Sequence, residues 1–249
     1  YALSGTLSAG QIAVDLGEDA EDDPAAVVTL ILNGVDITCT VAPAVIFYNV
    51  YECGSTDEDT ASETVDTSAA GANVLIADGT INNVTGSYVA RIYDPDSVVL
   101  SEDGMTVEDS EKLHKYDGAF YSKMSMNVDG GEAGTGVLNI TADNEGLDTE
   151  LHLTINGGTL TVVSSGDCIH SNGDLTISGG TATVTTAGGA GQSISDDTSA
   201  KGLKAGTQVT VTGGTLQLNC CDDAIHSNGD VTISGGSFTI ATGDDGMHA

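Results

Sequence analysis

Basic side chains are scarce in this chain, and so are large aromatics, prolines and long apolar runs. Six Lys and Arg stand against 37 Asp and Glu, a net charge of -31 at pH 7. A field of that sign repels phosphate backbones and anionic lipid surfaces, which excludes nucleic acid as a partner and favours divalent cations. No segment approaches the roughly 18 to 20 apolar residues that a membrane-spanning helix needs; the best candidate, residues 25–37, is short and reads as strand. With no Trp and only three Pro, any aromatic platform falls to Tyr. The chain has no initiator Met and opens directly in strand-like YALSGTLSAGQIAVDL. It is therefore expected to be a mature secreted chain, extracellular or at the cell surface.

Cysteine is limited to five positions. In an oxidising compartment Cys39 and Cys53 are close enough in sequence to bridge, and that disulfide is an expectation. The adjacent Cys220 and Cys221 are either a vicinal disulfide or free thiols. Cys168 stands where other repeats carry Ala224 and Gly246, so its expected role is packing at a bend of small residues.

What the chain does have is a repeat. SSGDCIHSNGDLTISGG at 164–180 returns as CCDDAIHSNGDVTISGG at 220–236. The apolar residue before each small turn is Val128, Ile155, Ile177, Val211 and Ile233, at spacings of 27, 22, 34 and 22. Short inserts near Glu132–Gly136 and Gly189–Ala200 account for the longer intervals, so the unit is 22 residues. Inside it, Thr and β-branched residues alternate in short runs separated by Gly, Asn and Asp, which is strand-and-turn grammar. Three short strands and three bends per unit fit one turn of a right-handed, single-stranded parallel β-helix, with equivalent residues stacked about 4.8 Å apart. The reading is all-β, one domain over 1–249, irregular with long inserts over 1–117 and regular over 118–249. Residues 57–66 and 94–115 read as loops projecting from the coils.

The runs ILNGVDIT, PAVIF, GAFYSK, GLDTELHLTINGG, SAKGLKAGTQVTVTGG, DDAIHSNGDVTISGG and GDDGMHA resemble a family of secreted bacterial proteins described as carbohydrate-binding domain-containing. The resemblance spans nearly the whole chain. It implies a right-handed parallel β-helix at or outside the cell surface, with carbohydrate binding and no reaction.

Stacking the repeats turns scattered residues into columns. One reads Gly118, Glu145, Asp167, Lys201, Asp223, Asp245, and a second, three residues on, reads Tyr121, Asp148, His170, Lys204, His226, His248. Two carboxylates about 4.8 Å apart repel by about 1 kcal/mol in water and about 3 to 4 at an effective dielectric near 20. Lys201 is thus expected to bridge Asp167 and Asp223 in a charge ladder. Beyond it, Asp222, Asp223, Asp244 and Asp245 crowd one bend, and hard oxygen donors of this kind suit Ca²⁺. Asp196 and Asp197 form a weaker second acidic pair. His226 and His248 are expected to be neighbours, but no Cys or third His completes a zinc set. A stacked, solvent-facing imidazole ladder is the expectation there.

For function, the repeating acid pairs argue against catalysis, because an active site normally breaks a repeat. A lyase acting on acidic polysaccharide also wants a cationic neutraliser and a base, and Arg91 is the only Arg. Tyr48, Tyr51, Tyr88, Tyr93, Tyr116 and Tyr121 all fall between residues 48 and 121, so a glycan site is expected in the amino-terminal half rather than on the regular repeats beyond. The leading reading is a non-catalytic module for glycan binding or adhesion, stabilised by calcium. The alternative is a subunit of an extracellular fibre or surface layer that self-associates by end-to-end β-stacking or strand exchange. A polysaccharide-active enzyme is the remote third.

Overall fold

The computed structural model describes residues 1–55, 65–110, 112–195 and 198–249. Among these, strands dominate, and the helical content is confined to short 3-10 turns such as Glu18–Asp22 and Thr67–Ala69. The strands form one 14-stranded sheet and one 7-stranded sheet, both parallel throughout, with two small antiparallel pairs beside them. Parallel sheets of this extent need both ends of every strand carried to a new level by a connection, which explains the Gly, Asn and Asp at each bend.

The strands fall into three columns. Residues 28–32, Ala72–Ile76, Met126–Gly130, Leu153–Ile155, Asp174–Ile177, Gln208–Val211 and Asp230–Ile233 pair in succession in the first. Residues 36–38, Ile81–Gly86, Val137–Ala142, Thr159–Ser164, Thr181–Thr186, Thr215–Cys220 and Ser237–Thr242 make the second. The third, which is the 7-stranded sheet, runs Ile12–Val14, Val45–Phe47, Gly118–Ser122, Glu145–Thr149, Ile169–Ser171, Leu203–Ala205 and Ile225–Ser227.

The first two columns are one sheet only because Val28–Thr38 runs through both. Its corner is Asn33-Gly34, with Gly34 at φ 82, a left-handed conformation that a side chain disfavours. Asn82, fully buried, holds that corner: its side-chain oxygen accepts the Gly34 and Val35 amides at 2.8 and 3.1 Å, and its amide donates to Thr80 Oγ1 and Val137 O.

A single apolar cluster extends from Val14 to Ile225 and lies on the inner face of all three columns. In the first, Val128 pairs with Ile155, Ile155 with Ile177, Ile177 with Val211 and Val211 with Ile233. The first four are buried, whereas Ile233 on the last rung is 38% exposed. In the third column Leu147, Ile169, Leu203 and Ile225 are all buried, and alternation then sends Asp148, His170, Lys204 and His226 to the opposite face. Burial of such Leu, Ile and Val side chains stabilises by about 1.5 to 3 kcal/mol each.

The bend before the third column is narrow. A Cβ on Gly146 would sit 2.5 Å from the Cys168 carbonyl, and one on Gly202 would sit 2.5 Å from that of Ala224. Glycine therefore alternates with Cys168 and Ala224 up this column, and the buried Cys168 packs as expected. Burial pushes the Cys168 and Cys220 thiols up to about 12, so both are inert core groups. Cys39 and Cys53 are likewise free thiols, and the expected bridge between them is not formed. Cys53 instead lies beside Glu52, 3.7 Å from its Oε1, which with burial raises its thiol to about 12.

Candidate functional site

The excursion at 94–115 is more ordered than a projecting loop. Val89–Tyr93 pairs antiparallel with Lys112–Tyr116, and Val99–Leu100 with Val107–Asp109. Its return strand lies over the outer face of the third column, because Tyr121, an outward-facing residue of Gly118–Ser122, is nevertheless buried. The Tyr121 hydroxyl donates to the Glu150 carboxylate and lies 3.2 Å from the Lys115 carbonyl.

This overlap gathers three of the six tyrosines singled out above. Tyr48 meets Tyr116 edge-on at 5.6 Å between ring centroids, and Tyr116 meets Tyr121 at 5.1 Å. His114 stacks on Tyr116 at 5.2 Å, with 14° between planes. Tyr88 and Tyr93, just before and at the end of Val89–Tyr93, are exposed, whereas Tyr51 sits at a different bend, where its backbone bonds Ala26 and Gly71. Burial pushes the Tyr116 phenol up to about 12 and raises those of Tyr48 and Tyr121, so all three remain neutral hydroxyls at neutral pH.

Beside these rings opens a cleft of about 500 Å³ whose floor is the outer row of the third column. The register of that row is Tyr121, Asp148, His170, Lys204, His226. His170 Nδ1 lies 3.0 Å from Glu145 Oε2 and 2.9 Å from Asp148 Oδ1. Burial opposes charge on the imidazole, but the two carboxylates outweigh it and push the group up to about 10. Burial, reinforced by Glu145, raises the Asp148 carboxyl. The row is therefore a set of mutually neutralised charges: Lys204 Nζ meets Asp167 Oδ2 at 2.8 Å, and Lys115 meets Asp117. Asn172 and Asn228 complete the polar lining. Hydroxyls, amides and carboxylates beside aromatic rings can hydrogen-bond a polyhydroxylated ligand and cover its C–H faces.

The charge ladder takes a different course from the expected one. The Lys201 ammonium turns to Asp222 and lies 3.7 Å from Asp223 Oδ2, while Asp167 receives the Lys201 backbone amide at 2.7 Å and the Lys204 ammonium. Burial works against charge on Asp167, but Lys204 beside it holds the carboxyl below its ordinary value. Two lysines three residues apart on one level therefore share the work assigned to one, since a backbone amide and a side chain of the same residue point to opposite neighbours.

That course also alters the acidic bend. Oxygens of Asp222, Asp223 and Asp244 do converge, but the Lys201 ammonium is paired with the first and lies 3.7 Å from the second. Asp245 is turned elsewhere, with its amide on Asp223 Oδ1 at 3.1 Å and its carboxylate 3.6 Å from His248 Nδ1. A second cleft of about 650 Å³ adjoins this bend, lined by 192–195, Thr198, Ser199, Lys201 and Asp244. Asp196 and Asp197 lie outside the described residues. His226 and His248 are neighbours as expected, but their rings are tilted by 53° and their Nδ1 atoms face Asp223, so they do not form a flat, solvent-facing ladder.

Sequence reasoning passed over Glu52, a buried carboxylate that accepts the Ser125 amide and hydroxyl at 2.7 and 2.8 Å and the Gly54 amide at 2.9 Å. Nothing in its surroundings in the chain marks it, because Ser125, which supplies two of its hydrogen bonds, lies 73 residues away.

No curated protein matches the chain significantly. A solved structure described as a polysaccharide lyase-like protein from C. thermocellum, in a gadolinium derivative, is similar over 100% of this chain and 84% of its own, at 24% identity and a TM-score of 0.59. At that identity the likeness speaks to fold alone. The model of one protein family matches residues 1–246, and on that match the chain belongs to the carbohydrate-binding domain-containing proteins.

Proposed function

We propose that this chain is a non-catalytic extracellular glycan-binding module, built as a right-handed parallel β-helix of about 22 residues per turn. The observation that carries the reading is the cleft in which Tyr121 meets the amides and carboxylates of the third column, with the rings of Tyr116 and Tyr48 packed in series beside Tyr121. The family match gives the ligand class, and the register of residues 22 apart in Leu153–Ile155 and Asp174–Ile177 supports the turn length. Placement outside the cell is part of the proposal and rests on the resemblance to secreted bacterial proteins, with the acidic composition in keeping with it.

The absence of a reaction in this proposal rests on how the cleft's titratable groups are engaged. Abstraction of a sugar proton needs a base with a free lone pair, and hydrolysis needs one carboxylic acid and one carboxylate flanking an open bond. Here His170 is held between Glu145 and Asp148, Lys204 by Asp167 and Lys115 by Asp117. Calcium at the Asp222–Asp223–Asp244 bend would have to compete with the Lys201 ammonium, so the proposed module binds its glycan without it. A glycan array of neutral and uronate oligosaccharides tests the reading: specific binding is expected for the intact chain and is lost in Tyr48→Ala and Tyr116→Ala. A chain that binds no glycan on such an array would remove it.

A further inference from the structure

We propose that His226, His248 and Asp223 form a three-donor site, open at its fourth position, for a divalent transition-metal ion of the zinc class. The two histidines pair across consecutive levels of the third column, with ring centroids 4.8 Å apart. Rings stacked only by the repeat would lie parallel, but these are tilted by 53°. The tilt brings both Nδ1 atoms toward one oxygen: Asp223 Oδ2 is 2.9 Å from His226 Nδ1 and 3.6 Å from His248 Nδ1. Asp245 Oδ2 lies 3.6 Å from the same His248 Nδ1 but stands outside the group of ligand atoms that converge.

The ring of His226 is oriented from behind. Its Nε2 lies 3.2 Å from Asn228 Oδ1 and its Nδ1 2.9 Å from Asp223 Oδ2. An N–H at Nδ1 would hydrogen-bond the carboxylate; a metal ion would take that proton's place, with the remaining ring proton kept on Nε2 by the Asn228 acceptor. Hydrogen bonding at the far ring nitrogen is also how metal-binding imidazoles are fixed. Asp223 is fixed in turn, being buried with Oδ1 occupied by the Asp245 amide at 3.1 Å. Donors about 2.0 to 2.1 Å from a tetrahedral ion stand about 3.3 to 3.4 Å apart; Asp223 Oδ2 stands 2.9 and 3.6 Å from the two Nδ1 atoms, and the ligand atoms of Asp223, His226 and His248 all lie within 4.8 Å of one another.

Two imidazoles among three donors select borderline metals over Ca²⁺ and Mg²⁺, which take oxygen. Lys201 Nζ also faces Asp223 Oδ2, at 3.7 Å, but its closer partner is Asp222. His248 and Asp245 are half or more exposed, which leaves the ion a path of entry. Once bound, the ion would tie residues 245–248 to the level beneath.

Calorimetric titration of the full chain with Zn²⁺, after chelator treatment and in the presence of excess Ca²⁺, tests the site. One Zn²⁺ per chain is expected, with a rise in melting temperature, and both are lost in His226→Ala and His248→Ala. His248 is exposed enough that its variant will fold, as an unchanged circular dichroism spectrum would record. No saturable Zn²⁺ binding, or binding retained at full strength in the folded His248→Ala variant, overturns the proposal.

Discussion

Buried charge in this protein is settled residue by residue, and His170 is the clearest case. It stands between two carboxylates at 2.9 and 3.0 Å and is pushed up to about 10. Because the folded value lies above the unfolded value of about 6.5, its stabilising contribution is complete below that pH and fades as pH rises toward 10. A proton-detected titration should find His170 charged at pH 7 and losing its proton only well above pH 8. Replacing it by Ala leaves Glu145 and Asp148 facing each other without a cation and should cost about 3 to 5 kcal/mol, measured by denaturant unfolding. Lys201→Glu sets a third carboxylate against Asp222 and Asp223. We expect a loss of about 2 kcal/mol, seen as a fall in melting temperature of roughly 4 to 8 °C. Lys201→Met should lower stability less and strengthen Ca²⁺ binding at the bend it vacates, which calorimetry would register.

Strands in the columns differ in value according to what lies above and below them. Ile177 is buried between Ile155 and Val211, whereas Ile233, at the same position in its turn, has a neighbour on one side only and is 38% exposed. Ile177→Ala should therefore cost about 2 to 5 kcal/mol and Ile233→Ala well under half of that, compared by urea midpoints. This register was readable from sequence because a period-2 pattern with β-branched residues admits one inward face, and slippage by one residue would expose every Ile and Val. The columns of Asp, His and Lys followed from the same alignment. The direction of each long side chain did not: whether Lys201 reaches down to Asp167 or up to Asp222 is a rotamer choice decided by what the backbone amides already satisfy. Nor were the antiparallel pairs at 89–116 foreseeable, since that stretch lacks the alternation of the repeats.

Across the whole molecule, the regular and irregular halves divide the work. The repeats supply a rigid outer row in which nearly every charge has a partner, and the excursion at 89–116 lays tyrosines against that row. A tyrosine-bearing half was predictable from composition, but the cleft was not, because it depends on the excursion folding back onto residues 121–172. The most direct test of glycan recognition at this junction is calorimetric titration of the tightest-binding array oligosaccharide into the intact chain and into Tyr116→Ala. Loss of the aromatic face should weaken binding by about 1 to 2 kcal/mol, roughly five- to thirtyfold, with the melting temperature little changed. Equal affinity for the two proteins would contradict a glycan site in this cleft.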